Sequence, residues 1–249
     1  MATHPNDEIV RFVQQAKRVQ AALGHFVGPD GAEANFISLG ENCSSAWYLK
    51  QVGLRKAAFP FDWIFSSPAI VIDCIADGFA RFLDKSLIGP KPDGRSAGHE
   101  YYHSNFFSHR NPLGGEEDYS YYQRCCDRFV QNIASQAPTC YLITLISEPD
   151  KRPGWANGFT RHFPMPTDQD HGKLGELADY LKTRNPNSKL LVVDHHTNGD
   201  RHAGVERLSE DVAFVRFDAG GRSTGVFYED ALDDFCFKLI MIGLYGDRR

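Results

Sequence analysis

The chain has 249 residues, 42% of them hydrophobic and 24% charged, with a formal net charge of −5. That is enough apolar material for a sizeable core, and the charge balance offers no basic stripe for phosphate contacts, which argues against nucleic acid as a partner. No run approaches the roughly 18 continuous apolar residues of a membrane span, and the opening MATHPNDEIVRFVQQAKRVQ lacks a secretory pattern. The expectation is a cytoplasmic protein with no membrane partner.

In chain order, residues 7–23 carry apolar positions at helical spacing, and residues 24–34 read as loop. FISL (residues 36–39) reads as a short buried strand. A helix over 43–52 comes next, with Asn42 or Cys43 at its first turn and Gly53 at its stop. Ser66-Ser67-Pro68 opens another helix with proline at an early position. Residues 86–118 are rich in Gly, Pro, His and aromatics and poor in periodicity, which marks an irregular insertion. Helical spacing resumes over 119–134.

The second half is different in kind. CYLITLI (140–146), KLLVVD (189–194) and VAFVRF (212–217) read as buried strands, 173–184 as an amphipathic helix, and 230–244 as a closing helix. Continuous apolar strands alternating with helices predict a three-layer α/β domain with a mostly parallel central sheet. The organisation expected is an N-terminal helix and loop (1–35), then a single α/β domain (36–249).

The six cysteines have no CxxC spacing and sit mostly in apolar runs, so reduced thiols are expected, five of them as small core residues. Cys43 is the exception. A thiol at a helix N-terminus is placed where the dipole and unpaired N–H groups stabilise a thiolate or an oxyanion. Gly40 permits the sharp turn before it.

A thiol nucleophile needs a base, and there are ten histidines. His103 and His109 lie in the irregular stretch HEYYHSNFFSHRNP; His195 comes directly after the strand KLLVVD, at the end where parallel sheets carry function. The full HExxH pattern is absent, and neither a metal nor a cofactor is called for. In FPFDW, Asp62 is a carboxylate among aromatics, with Arg55 its nearest partner in sequence. The glycine-rich run from Gly220 to Gly225 lacks a P-loop lysine, and Ser38 is not in a GxSxG setting.

Taken together, Ser38-Leu39-Gly40-Glu41-Asn42-Cys43, Gly53-Leu54-Arg55 and Pro60-Phe61-Asp62-Trp63 resemble the opening of a mainly bacterial family described as "putative papain-like cysteine peptidases". The resemblance is strong over residues 36–83 and fainter through His103–Phe107 and the Tyr122-Arg124-Arg128 helix. It implies a thiol hydrolase with Cys43 as nucleophile and His103 or His109 as base. It also implies a largely antiparallel sheet after the cysteine helix, whereas the second half reads as parallel.

The leading expectation is therefore a cysteine-dependent hydrolase or acyltransferase acting on a peptide, acyl or glycan-derived substrate. Asp62 or Asp194 would orient the histidine, with Gly40, Asn42, Arg55, Trp63, Arg124 and His195 as substrate or oxyanion candidates. Two alternatives compete. One is a non-catalytic carbohydrate- or anion-binding module built on Trp63, Trp155, Tyr101, Tyr102, Arg124 and Arg128. The other is a flavodoxin-like esterase acting on acylated glycans through Ser38 or a cysteine in its place.

Overall fold

The computed structural model describes residues 5–163 and 171–246. Its elements run α1 (Pro5–Val27), β1 (Asn35–Gly40), α2 (Ser44–Gln51), α3 (Pro68–Ala76), β2 (Ile88–Pro90), β3 (Ala97–His99), α4 (Glu116–Ala134), β4 (Thr139–Ile146), α5 (Arg152–Ala156), α6 (His171–Arg184), β5 (Ser188–His196), β6 (His202–Arg207), β7 (Val212–Asp218) and α7 (Ala231–Ile242). The main sheet has the order β1-β4-β5-β7-β6, with β1, β4, β5 and β7 parallel and only β6 antiparallel at the edge. The second half is thus mostly parallel as its apolar strands predict, and the largely antiparallel sheet implied by the family resemblance is not formed among the described residues.

Side-chain alternation divides the core between two faces. On β4, Tyr141, Ile143 and Leu145 face a cluster closed by Ile70 and Cys74 of α3, Phe129 of α4 and Leu177 of α6. Cys140 and Leu142 face the other way, onto Phe12 and Leu23 of α1, Tyr48 and Leu49 of α2, and Phe237 of α7. A sheet covered on both sides needs apolar residues at every position, and all eight residues of β4 are buried.

Local signals explain the element ends. Ser67 accepts the Ile70 N–H and Pro68 takes the first helical position of α3, while Asp230 accepts the N–H groups of Leu232 and Asp233 at the start of α7. After α2, Gly53 turns with φ +76° and Leu54 N–H returns to Leu49 O at 2.9 Å, closing the helix as glycine commonly does.

Two departures from the sequence pattern matter. Strand β6 gives no strand signal in sequence because only Ala203 in it is buried, so it lacks an apolar run. The irregular stretch 86–118 contains a small antiparallel hairpin, β2–β3, and is anchored by enclosed aromatics: Phe106 and Phe107 pack against Phe82, Phe107 also against Tyr122, and Tyr102 against Phe106. Its order comes from aromatic packing without periodicity. This packing carries His103 and His109 to the carboxyl ends of β1 and β4.

Candidate active site

Strand β1 ends at Gly40, whose φ of +94° and lack of a side chain are both required. A Cβ there would come within 2.0 Å of Ser66 Oγ. Two residues on, Asn42 Oδ1 accepts the Ser44 N–H at 3.0 Å, and Cys43 takes the N-cap position of α2. The Ser44 N–H can only donate, so Asn42 Oδ1 is the acceptor, and the Asn42 amide nitrogen is left as a donor beside Cys43.

Cys43 Sγ lies 3.1 Å from His109 Nε2. Both residues line a cleft of about 550 Å³ together with Asn42, Phe65, Asn105 and Ser108. The rest of its lining comes from Ile146 at the end of β4, the α5 region (Asp150, Lys151, Gly154 and Trp155) and the turn Thr224-Gly225-Val226. The site therefore opens where parallel strands end, the usual position in a sheet of this kind.

Burial, reinforced by the charge of Asp62, pushes the Cys43 thiol up to about 12. The resting sulfur is thus a neutral thiol beside His109 Nε2. A thiolate here requires a nearby proton acceptor, and His109 Nε2 is the ring nitrogen within hydrogen-bond reach of the sulfur. Among the described residues, no carboxylate stands within ion-pair distance of His109. Its neighbour is the Trp63 ring, edge to face at 6.1 Å between centroids.

The other residues singled out in the sequence are placed elsewhere. His103 is fully buried and does not line the cleft; its Nε2 bonds Trp155 O and its Nδ1 accepts from Asn105 N. With both nitrogens taken it has no lone pair to offer a thiol. Asp62 does not orient a histidine: its Oδ2 accepts from Arg55 Nε at 2.9 Å, Arg55 Nη2 at 2.6 Å and Phe59 N at 2.9 Å. Burial nevertheless outweighs those donors and raises its carboxyl to about 6. Arg55 is thereby spent on Asp62 and also lies over the Trp63 ring. Arg124 is exposed on α4, outside the cleft lining.

His195 is buried at the end of β5, bonded through Nδ1 to Tyr228 Oη at 3.0 Å and 3.5 Å from the enclosed Glu148 carboxylate. Asp194 is 2.5 Å from Ser147 Oγ and 3.1 Å from His196. Neither lines the cleft. Ser38 is buried and shares a 2.7 Å hydrogen bond with Ser45. The aromatic and basic set of the binding-module alternative is dispersed: Tyr102 is enclosed, Arg128 donates to Ala58 O, and only Trp155 of that set lines the cleft. No group of three His, Cys, Asp or Glu among the described residues is arranged to hold a metal.

Comparison with known proteins falls on this same region. Residues 34–147 match the model of the family described as "Putative papain-like cysteine peptidase (DUF1796)". The match takes in β1 through β4, with Cys43, Asp62, His103 and His109 inside it and β5, β6 and β7 outside. A 54-residue stretch is 41% identical to "Uncharacterized protein R408" of Acanthamoeba polyphaga mimivirus, covering 21% of this chain and 24% of that protein. The chain thus spans about a quarter of the length of that relative. No solved structure matches. No described helix is long and apolar enough to cross a membrane.

Three features of the site are not assigned to it by the sequence pattern. The α5 region and the Thr224–Val226 turn form cleft walls although they lie far from Cys43 in sequence. Glu41 is buried, takes the Ile146 N–H on Oε2 at 2.8 Å and is raised by burial to about 8. Its one signal in sequence is an acidic residue two positions before the thiol, at the end of an apolar strand.

Proposed function

We propose that the chain is a cysteine-dependent acyl hydrolase or acyltransferase, with Cys43 as nucleophile and His109 as general base. The observation that carries this reading is the 3.1 Å Sγ–Nε2 approach inside an open cleft at the start of a helix. As Cys43 Sγ attacks a carbonyl carbon, its proton passes to His109 Nε2 and the carbonyl oxygen becomes an oxyanion. The Asn42 amide and the amino end of α2 supply donors for that oxygen.

Collapse of the adduct breaks the bond to the leaving group, which departs with the proton from His109 and leaves a thioester on Cys43. Water, or an acceptor amine or alcohol, then attacks the thioester while His109 takes its proton. The second collapse releases the acyl product and returns the proton to sulfur. The peptidase description of the matched family supports a peptide amide as the bond cleaved.

Intact-mass analysis after mixing with an activated acyl ester tests the reading. Wild type should gain one acyl mass on Cys43, and Cys43→Ala should gain none while keeping its fold. Acylation of both proteins to the same extent would remove Cys43 from the chemistry.

A further inference from the structure

His103 stands close to the reacting pair in sequence yet takes no part in it, and its hydrogen bonds say what it does. The Asn105 backbone N–H can only donate, so His103 Nδ1 is an acceptor, at 2.9 Å. The ring proton is therefore on Nε2, which donates to Trp155 O at 2.8 Å. The two partners belong to two separate segments of the chain that each form a wall of the cleft. Asn105 stands on the wall with Ser108 and His109, and Trp155 is on α5.

The ring is held from its other sides as well. Phe65 lies 5.3 Å and Phe159 4.9 Å from it, centroid to centroid. Gly158 presses so close that a Cβ would come within 2.0 Å of the imidazole, and the neighbouring Ser104 N–H donates to Gly158 O at 2.7 Å. Beyond Asn105 the turn is stitched to itself: Ser108 Oγ donates to Asn105 O at 2.7 Å, one residue before His109.

We propose that His103 is a positioning residue that braces the two walls of the cleft and, through the Asn105 N–H, fixes the turn that delivers His109 to Cys43. A histidine suits this task because one rigid ring accepts from one wall and donates to the other. Burial depresses its basicity to about 4, so the neutral, Nε2-protonated form persists across ordinary conditions. The functional consequence rests on reading Cys43 and His109 as the reacting pair; the brace itself does not.

Nitrogen-15 NMR of the full chain tests the brace directly. His103 should appear as the Nε2–H tautomer with no titration through the range around pH 6.5 where free histidine titrates. An Nδ1–H tautomer, or titration in that range, would overturn the proposal. The consequence is read from the rate at which iodoacetamide alkylates Cys43. His103→Asn places an amide oxygen near the Nδ1 position, and His103→Gln places an amide nitrogen near Nε2.

The Asn variant should stay within about threefold of wild type, while the Gln variant should lose about tenfold at neutral pH because His109 is no longer held in line. Folded Asn and Gln variants that both match wild type would overturn the positioning role. Should wild-type Cys43 itself prove unreactive, the reacting-pair reading fails, and the NMR tautomer still decides the brace.

Discussion

Asp62 and Arg55 form a shielded ion pair in which one carboxylate oxygen receives both Arg55 Nε and Nη2, at 2.9 and 2.6 Å. Asp62 is almost fully enclosed, and the pair holds the PFDW turn behind Cys43. Removing the guanidinium leaves an uncompensated buried charge, which commonly costs about 3–5 kcal/mol. Arg55→Ala is therefore expected to be strongly destabilised at pH 8. The loss should be smaller below about pH 6, where Asp62 is protonated in wild type and, lacking the guanidinium that lowers it, in the variant as well. Urea unfolding at the two pH values checks this, and an equal loss at both would contradict it.

Glu41 provides a second link between pH and stability. Its ordinary value is 4.5, and in the folded chain it is raised to about 8. Between those values the folded chain holds a proton that the unfolded chain has released, so stability falls as pH rises through that window. Below it the contribution is fully present. Glu41→Gln keeps an oxygen for the Ile146 N–H and removes the titration. The variant should lose that downward slope, and the gap from wild type at pH 8 should be on the order of a few kcal/mol. Parallel stability–pH curves for the two proteins would contradict this account.

Asn42 separates oxyanion stabilisation from nucleophile activation. Alkylation by iodoacetamide develops no oxyanion on a carbonyl oxygen under attack, whereas acylation by an ester does. Asn42→Ser keeps an oxygen near the Ser44 N–H but loses the amide donor. It should slow ester acylation of Cys43 by about 10²-fold, the usual scale for one lost oxyanion donor. Alkylation should be nearly unchanged. A proportional fall in both rates would assign Asn42 a packing role instead.

Much of the fold is legible in the sequence because its strands are buried on both faces and therefore read as unbroken apolar runs, as in CYLITLI and KLLVVD. Strand β6 is not, because an edge strand covered on one side by little more than α1 needs no such run. Residues 86–118 look irregular because Phe106, Phe107 and Tyr102 are ordered by packing onto distant aromatics, which leaves no period in the sequence.

At the site, the thiol stands out because a strand, a glycine and a helix start coincide there. The choice between His103 and His109 is not legible. Both lie in one short aromatic stretch, and they are separated only by their partners: backbone groups occupy both nitrogens of His103 and leave His109 Nε2 to the sulfur. The run ending at Gly225 lacks a P-loop pattern, yet its last residues form a cleft wall. Such walls come from chain crossings that spacing along one segment does not encode.

The most direct test of the central claim is the rate of Cys43 alkylation at neutral pH in wild type and in His109→Ala. Removing the exposed imidazole opens the cleft above the sulfur, so a thiol limited only by access should react faster. If His109 takes the thiol proton, the rate should instead fall by about 10²-fold, the lower end of what a positioned general base contributes. An unchanged or increased rate would contradict the account.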